Sequence, residues 1–229
     1  MTHALARLAI SHSELFSAWP EDAIQRLVKH ADVVEFARGA CVHSSGDEAR
    51  YLYLVTAGSL SLLREGATDR PFAAGLQLPG DFQGLGPVLS ETPHLFTAIA
   101  KENTVLVRVP GLLLREMVAA NGRFAFSLFR ALERRHLGAL NRFASAALQP
   151  TRARIAELLL SIVARTERPG AAAEIQLSQD EIAAMLGTRR QVVNRTLKAM
   201  ACEGAIQLEY GRLLVQDASL LRQMARAED

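Results

Sequence analysis

Arg189, Arg190, Gln191, Asn194, Arg195 and Lys198 share one side of a helical pattern whose other side is Val192, Val193, Leu197 and Met200. A guanidinium can bind guanine O6 and N7 together, and the amides of Gln and Asn can do the same for adenine. The polar side meets no acidic residue until Glu203. These residue types imply a surface that reads base edges in the major groove of double-stranded DNA. Something must hold that helix. Just upstream, Ile182, Ala183 and Leu186 fall at helical spacing and form an apolar face. Gly187 can take the positive φ of a sharp turn. Thr188 is expected to cap the helix that follows. Together they form a helix-turn-helix. For Lys198 taken alone, a basic solvated face on an ordinary helix pair is the favoured reading.

Other chemistries leave no trace. The chain has no Gly-x-Ser-x-Gly elbow, no phosphate-binding glycine loop with Lys and no His-Glu-x-x-His. No catalytic residue is assigned, and no enzyme is expected. Cys41 and Cys202 are far apart, so they make neither a disulfide framework nor a metal cluster. Both are expected to be small core residues. The 229 residues suffice for two domains of ordinary size, and 49% hydrophobic with 22% charged residues suits a folded protein. A formal net charge of +2 excludes coating of nucleic acid by bulk charge and requires a local basic surface. His3, Arg7, His12, Glu14 and Asp22 break up any signal-peptide core, and no apolar run is long enough for a bilayer. A cytoplasmic location without a membrane partner is the expectation.

The elements around this surface fall into three parts. Residues 1–110 hold short apolar runs at 33–36, 51–55, 59–63, 72–76, 96–100 and 105–109, separated by turn signals such as Arg38-Gly39, Ala57-Gly58, Glu65-Gly66 and Pro79-Gly80-Asp81. That spacing predicts a β-sandwich or barrel after a helix near 21–30. Residues 111–148 turn helical, with a short helix at 112–117 and a long one from about Phe124 to Ala147. In the long helix Ala125, Phe129, Leu132, His136, Ala139, Phe143 and Ala146 recur in alternating steps of four and three, a coiled-coil seam. Pairing with a second copy through Phe129, Leu132, His136, Ala139 and Phe143 is expected, His136 setting the register. Gln149-Pro150-Thr151 is the hinge into residues 149–229. An amphipathic helix at 154–164, a loop at Arg168-Pro169-Gly170, a short strand at 174–177, the helix-turn-helix and a hairpin turning at Tyr210-Gly211 follow. The hairpin reads as a wing with Arg212 near its tip, in reach of phosphate.

The order and several motifs resemble the Crp/Fnr superfamily of bacterial transcription regulators. Leu15-Phe16, Gly39, Gly46-Asp47, the run from Tyr53 to Leu60, Pro79-Gly80-Asp81-Phe82, and Ile182-Ala183 with Gly187, Arg190, Gln191 and Arg195 carry the resemblance. It implies an α+β chain with an N-terminal β-roll (jelly-roll-like) domain, a long dimerisation helix and a C-terminal winged helix-turn-helix. It also implies a homodimer on a palindromic site, with RNA polymerase and a small-molecule effector as further partners. The family often reads bases with Arg-Glu-x-x-x-Arg, and here Arg190 and Arg195 match while Gln191 replaces Glu.

The resemblance also locates an effector pocket. Cyclic-nucleotide-binding members hold ribose with a Gly-Glu pair and phosphate with an Arg-Ser pair about ten residues on. In Gly84–Phe96 Gly84 is kept, Leu85 replaces Glu, Gly86 follows, and His94-Leu95 replaces Arg-Ser. Ala139 and Leu140 stand where Thr and Ser can meet the base. Leu85 and Leu95 would bury a phosphate without a cation, which is costly, so neither cyclic AMP nor cyclic GMP is expected to bind. Two cysteines cannot build the iron–sulfur cluster of oxygen-sensing relatives. Haem sensing of CO or NO through His94 or His136 is one alternative, although His94 reads foremost as a solvated loop residue. A ligand-binding module without DNA binding is the other. A hydrophobic effector and constitutive activity both stay open.

Overall fold

The computed structural model describes residues 2–64, 72–166, 173–209 and 212–226. The turns at Glu65-Gly66, Arg168-Pro169-Gly170 and Tyr210-Gly211 lie outside them. The chain divides into two compact units, Met1–Gly138 and Ala139–Asp229.

In the first unit, two four-stranded antiparallel sheets form the β-roll. One sheet orders β1 (Asp32–Phe36), β8 (Thr104–Pro110), β3 (Tyr51–Ala57) and β6 (Phe82–Gln83). The other orders β2 (Cys41–His43), β7 (Thr97–Ala100), β4 (Leu60–Arg64) and β5 (Phe72–Gln77). The strands expected from turn spacing are present. β2 and β6 are too short to show a period of two and carry no sequence signal of their own.

Alternation along β3 explains why both of its sides are apolar. Leu52 and Leu54 join a core with Ile10, Leu27, Val107, Leu114 and Leu128, beneath the helices. Tyr53 and Val55 point the other way and pack with Leu60, Ala100 and Leu106. The helical layer comprises α1 (Thr2–His12), α2 (Glu21–His30), α4 (Gly111–Ala120) and the start of α5 (Phe124–Leu148). Trp19 ties it together. Its ring stacks on Phe124 with centroids 4.1 Å apart, and its Nε1 donates to Ser127 Oγ at 2.9 Å. Ser127 Oγ in turn donates to the carbonyl of Leu15 at 2.6 Å.

On α5 the residues fall differently from the predicted seam. Leu132, expected to face a second copy, is half-buried and packs against the roll core. Phe126 (70%), Phe129 (65%), Leu137 (46%), Leu140 (49%), Phe143 (75%) and the terminal Leu148 (82%) are the exposed large apolar residues of α5. His136 and Ala139 are exposed as well. Heptad spacing gives the repeat of a seam. Which neighbouring side the roll covers depends on packing, and the roll takes the side that includes Leu132.

The second unit is held by α6 (Thr151–Thr166), which packs on α9 (Ala218–Arg226), on α8 (Arg190–Cys202) and on β9 (Ala173–Ile175). Ile155, Leu159, Ile182, Val193, Leu197, Met200, Ile206, Leu213 and Leu221 are buried. β9, β11 (Arg212–Val215) and β10 (Ile206–Glu209) form a three-stranded antiparallel sheet in the order β10-β11-β9, and the β10–β11 hairpin is the predicted wing. Both cysteines are exposed, which corrects their expected place in the core. Cys41 lies on an edge strand and Cys202 at the end of α8, and neither position is covered.

Candidate nucleic-acid interface and effector pocket

The polar flank of α8 stands on a well-anchored pair of helices. α7 (Gln179–Leu186) begins with a capping box: Ser178 Oγ accepts from the Glu181 amide at 3.2 Å, and the Ser178 amide donates to Glu181 Oε2 at 2.8 Å. The Ser-x-x-Glu spacing before an apolar run is the sequence signal that could have found this cap. At the other end Gly187 takes φ 61°, and Arg154 of α6 donates to the Leu186 carbonyl. Thr188 does not cap α8. Its amide closes the end of α7 on Ala183 at 2.9 Å, and Arg189 is the residue at the cap, with no side-chain capping bond. The turn consumes one more residue than the sequence suggested, which moves the start of α8 past Thr188.

Val193, Leu197 and Met200 bury one side of α8. Arg189, Arg190, Gln191, Arg195 and Lys198 are exposed, while Asn194 and Thr188 are half-buried. Arg190 makes an ion pair with Asp180 of α7 at 3.3 Å, both side chains about two-thirds exposed. Such a pair is worth roughly 0–1 kcal/mol, so a base or phosphate can displace it. Asp180 was missed because it belongs to the preceding helix and meets α8 only across the turn. The wing also differs from expectation. Arg212 bonds to Glu209 of its own hairpin and to Glu174 of β9. Its cation is engaged by two carboxylates, a cross-strand arrangement that register alone creates.

In the first unit the predicted effector residues do not form one polar cradle. Gly84 has φ 91°, and a Cβ there would lie 2.7 Å from the Tyr51 carbonyl, so glycine is required by close approach. It leads into α3 (Leu85–Ser90). Leu85 is fully buried in the core beneath the helices, and a Cβ on Gly86 would touch Leu132 of α5 at 3.9 Å. Leu95, expected to line a pocket, is 51% exposed. Ala139 and Leu140 are exposed on α5.

His94 reverses the prediction of a solvated loop residue: it is 3% exposed, and its ring stacks on His43 with centroids 3.6 Å apart and planes 12° apart. His43 is 6% exposed, with the ring of Tyr53 6.1 Å away. Burial pushes the His43 imidazole down to about 4; the adjacent His94 acts the same way and Asp47 opposes. Burial also lowers His94, again against Asp47. His43 escaped the sequence reading because a strand of three residues shows no alternation. Among the described residues, no group of three or more His, Cys, Asp or Glu side chains is placed to hold a metal ion. Among them, no helix is long and apolar enough to cross a membrane.

The cyclic nucleotide-binding domain family matches residues 33–121, and the Crp-like helix-turn-helix domain family matches residues 153–224. The chain belongs to the Crp/Fnr superfamily. With its helix-turn-helix domain, this Crp/Fnr chain is a DNA-binding transcription regulator. It is 27% identical over 220 residues to the CRP-like cAMP-activated global transcriptional regulator of Mycobacterium tuberculosis, covering 95% of this chain and 98% of that one. It is 29% identical over 217 residues to the cyclic AMP receptor protein of Thermus thermophilus, covering 93% and 97%. Its fold is shared with FixK2 from Bradyrhizobium japonicum, with a TM-score of 0.77 and 20% identity over 87% of this chain and 99% of that one.

Proposed function

We propose that this Crp/Fnr regulator acts as a homodimer on a two-fold symmetric DNA site, and that a cyclic nucleotide does not control it. The observation that carries the reading is the exposed flank of α8, where Arg189, Arg190, Gln191, Arg195 and Lys198 stand clear of the buried side. The exposed Phe126, Phe129, Leu137, Leu140 and Phe143 on α5 support a second copy as partner. Two recognition helices would then enter successive major grooves about 34 Å apart. Arg190, Gln191, Asn194 and Arg195 read bases, and Arg189 and Lys198 hold phosphate. Arg212 keeps the wing's carboxylates neutralised, so its own contact with phosphate is secondary.

Selection of bound fragments from a random DNA pool tests this directly and should return a palindrome. On that site, Arg190→Ala or Arg195→Ala should cost about 1–3 kcal/mol, roughly 5- to 150-fold in affinity, and relax base choice. Lys198→Ala should weaken all sequences alike and reduce the salt dependence. Unchanged affinity in both arginine variants by gel-shift titration would refute the assignment.

The mycobacterial relative is named as cAMP-activated. Here the segment Gly84–Phe96 contains no Lys or Arg, Leu85 is in the core and a closed His43–His94 stack occupies the roll. Isothermal calorimetry should show no binding of cyclic AMP or cyclic GMP at millimolar concentration, and micromolar affinity would overturn this part of the reading.

A further inference from the structure

We propose that the His43–His94 stack is the effector site of this regulator and that its effector is the proton: charging the rings parts β2 from the loop that carries His94. This names an effector for the function proposed above and rests on it. Among the described residues, Nδ1 and Nε2 of His43 and Nδ1 of His94 are buried without a hydrogen-bond partner. Orphaned polar atoms in a native interior mark strain or a missing partner. A shared metal ion is a poor candidate. Imidazole coordinates in the plane of its ring, and two near-parallel rings stacked face to face at 3.6 Å cannot direct their lone pairs to one ion between them. A proton needs no such space.

The surroundings favour the neutral rings. Asp47 after β2 acts on both rings, and the ring of Tyr53 on β3 lies 6.1 Å from His43; behind Tyr53 stand Tyr51 of the same strand and Arg108 of β8, whose guanidinium lies over the Tyr51 ring. Asp47 is the one carboxylate among them, and its Oδ2 already accepts from the Ser44 amide at 2.7 Å. The backbones of Phe96 and Ser44 favour a charged His43 slightly, without reaching hydrogen-bond geometry. Burial outweighs them all. One charged ring could regain a little by lying on a neutral one, but the second charge would repel the first across 3.6 Å in a largely buried site.

What the stack holds shut is well defined. The His94 amide donates to the Asp47 carbonyl at 2.9 Å, the Gly46 amide to the His94 carbonyl at 2.8 Å and the Ser45 amide to Thr97 Oγ1 at 3.0 Å. His94 Cε1 lies 3.4 Å from where a Gly84 Cβ would stand, and Leu85 and Val88 of α3, which follows Gly84, share a core cluster with Leu132 of α5. Opening the loop therefore removes support from the helix that carries the dimer residues. The sign follows from linkage. A histidine whose closed-state pKa is depressed favours the closed form fully above its ordinary value of 6.5, and loses that preference as pH falls. The open-to-closed ratio rises by up to about tenfold per pH unit for each ring in this range, ending near 4 for His43.

The test follows the histidine ring and backbone amide signals of the full-length protein by NMR between pH 7.5 and 4.5. In parallel, affinity for the fragment recovered from the random pool is measured for the wild type and for the double variant His43→Phe with His94→Phe, which keeps two stacked rings. Expected are neutral rings at pH 7, protonation together with faster exchange of the Gly46 and His94 amides as pH falls, and operator affinity at pH 5 at least tenfold more reduced in the wild type than in the double variant. The wild-type titration stands even if the double variant does not fold. Rings that titrate near 6.5 with the loop closed, or that stay neutral with unchanged exchange at pH 4.5, would overturn the proposal. Opening without any change in operator affinity would overturn the effector role. Failure of the wild type to bind DNA at any pH, with rings and loop behaving as expected, would sink the regulator reading while supporting proton-driven opening.

Discussion

Introducing Phe129→Glu together with Phe143→Glu is expected to convert the protein to a monomer and to weaken operator binding about 10²- to 10⁴-fold. Both phenylalanines are exposed, at 65% and 75%, on a helix whose opposite side packs on the roll. Two carboxylates per subunit, four per pair, would have to enter an apolar contact, at several kcal/mol for each buried unpaired charge. Linked half-sites then lose the gain of joint binding. Because both residues are exposed, the subunit itself should fold as before. Leu132→Ala makes the contrast. Leu132 packs against the roll, so its truncation should lower the unfolding temperature while leaving the subunits paired. Sedimentation velocity with thermal unfolding separates the two effects. A dimer that survives both glutamates would show that α5 pairs through another side, or not at all.

Gly58→Ala is expected to be the most destabilising single methyl addition in the β-roll, costing about 3 kcal/mol or more. Gly58 has φ 74°, and an added Cβ would stand 2.5 Å from the Asn103 carbonyl oxygen and 2.7 Å from Thr104 Cα. The first effect alone is worth roughly 1–2 kcal/mol for an L-residue, and the backbone collision adds to it because neither neighbour is a flexible chain end. Thr104 is fixed by its own hydroxyl, whose single proton is shared between the Ser59 and Glu102 carbonyls and whose oxygen accepts from the Ser59 amide. Gly187→Ala isolates the conformational part. It has φ 61° with nothing within 4 Å of the added atom, so about 1 kcal/mol is expected there. Urea unfolding of the two variants should rank them in that order. Equal costs would mean that the β3–β4 turn relaxes freely away from Asn103.

The order of elements, the helix-turn-helix and the wing were readable along the chain, because each rests on residues within a turn or two of one another. Ile182, Ala183 and Leu186 announce a helix face, Gly187 announces a turn, and Arg190, Gln191 and Arg195 announce the chemistry of the flank. Set against the phosphate-binding pattern that the family resemblance implies, the departure of Gly84–Phe96 was equally local, since the segment holds no Lys or Arg. Tertiary structure decided the rest. His43 and His94 stand 51 positions apart and meet only because β2 pairs with β7. Arg212 finds Glu174 through the register of β9 on β11, and Arg190 finds Asp180 across a turn one residue longer than expected. Leu132 has the spacing of a seam and packs, half-buried, against the roll core. Periodicity states that a helix has two sides. Which side is covered, and which distant groups share an interior, depends on the free energy of burying surfaces that the chain brings together only when folded.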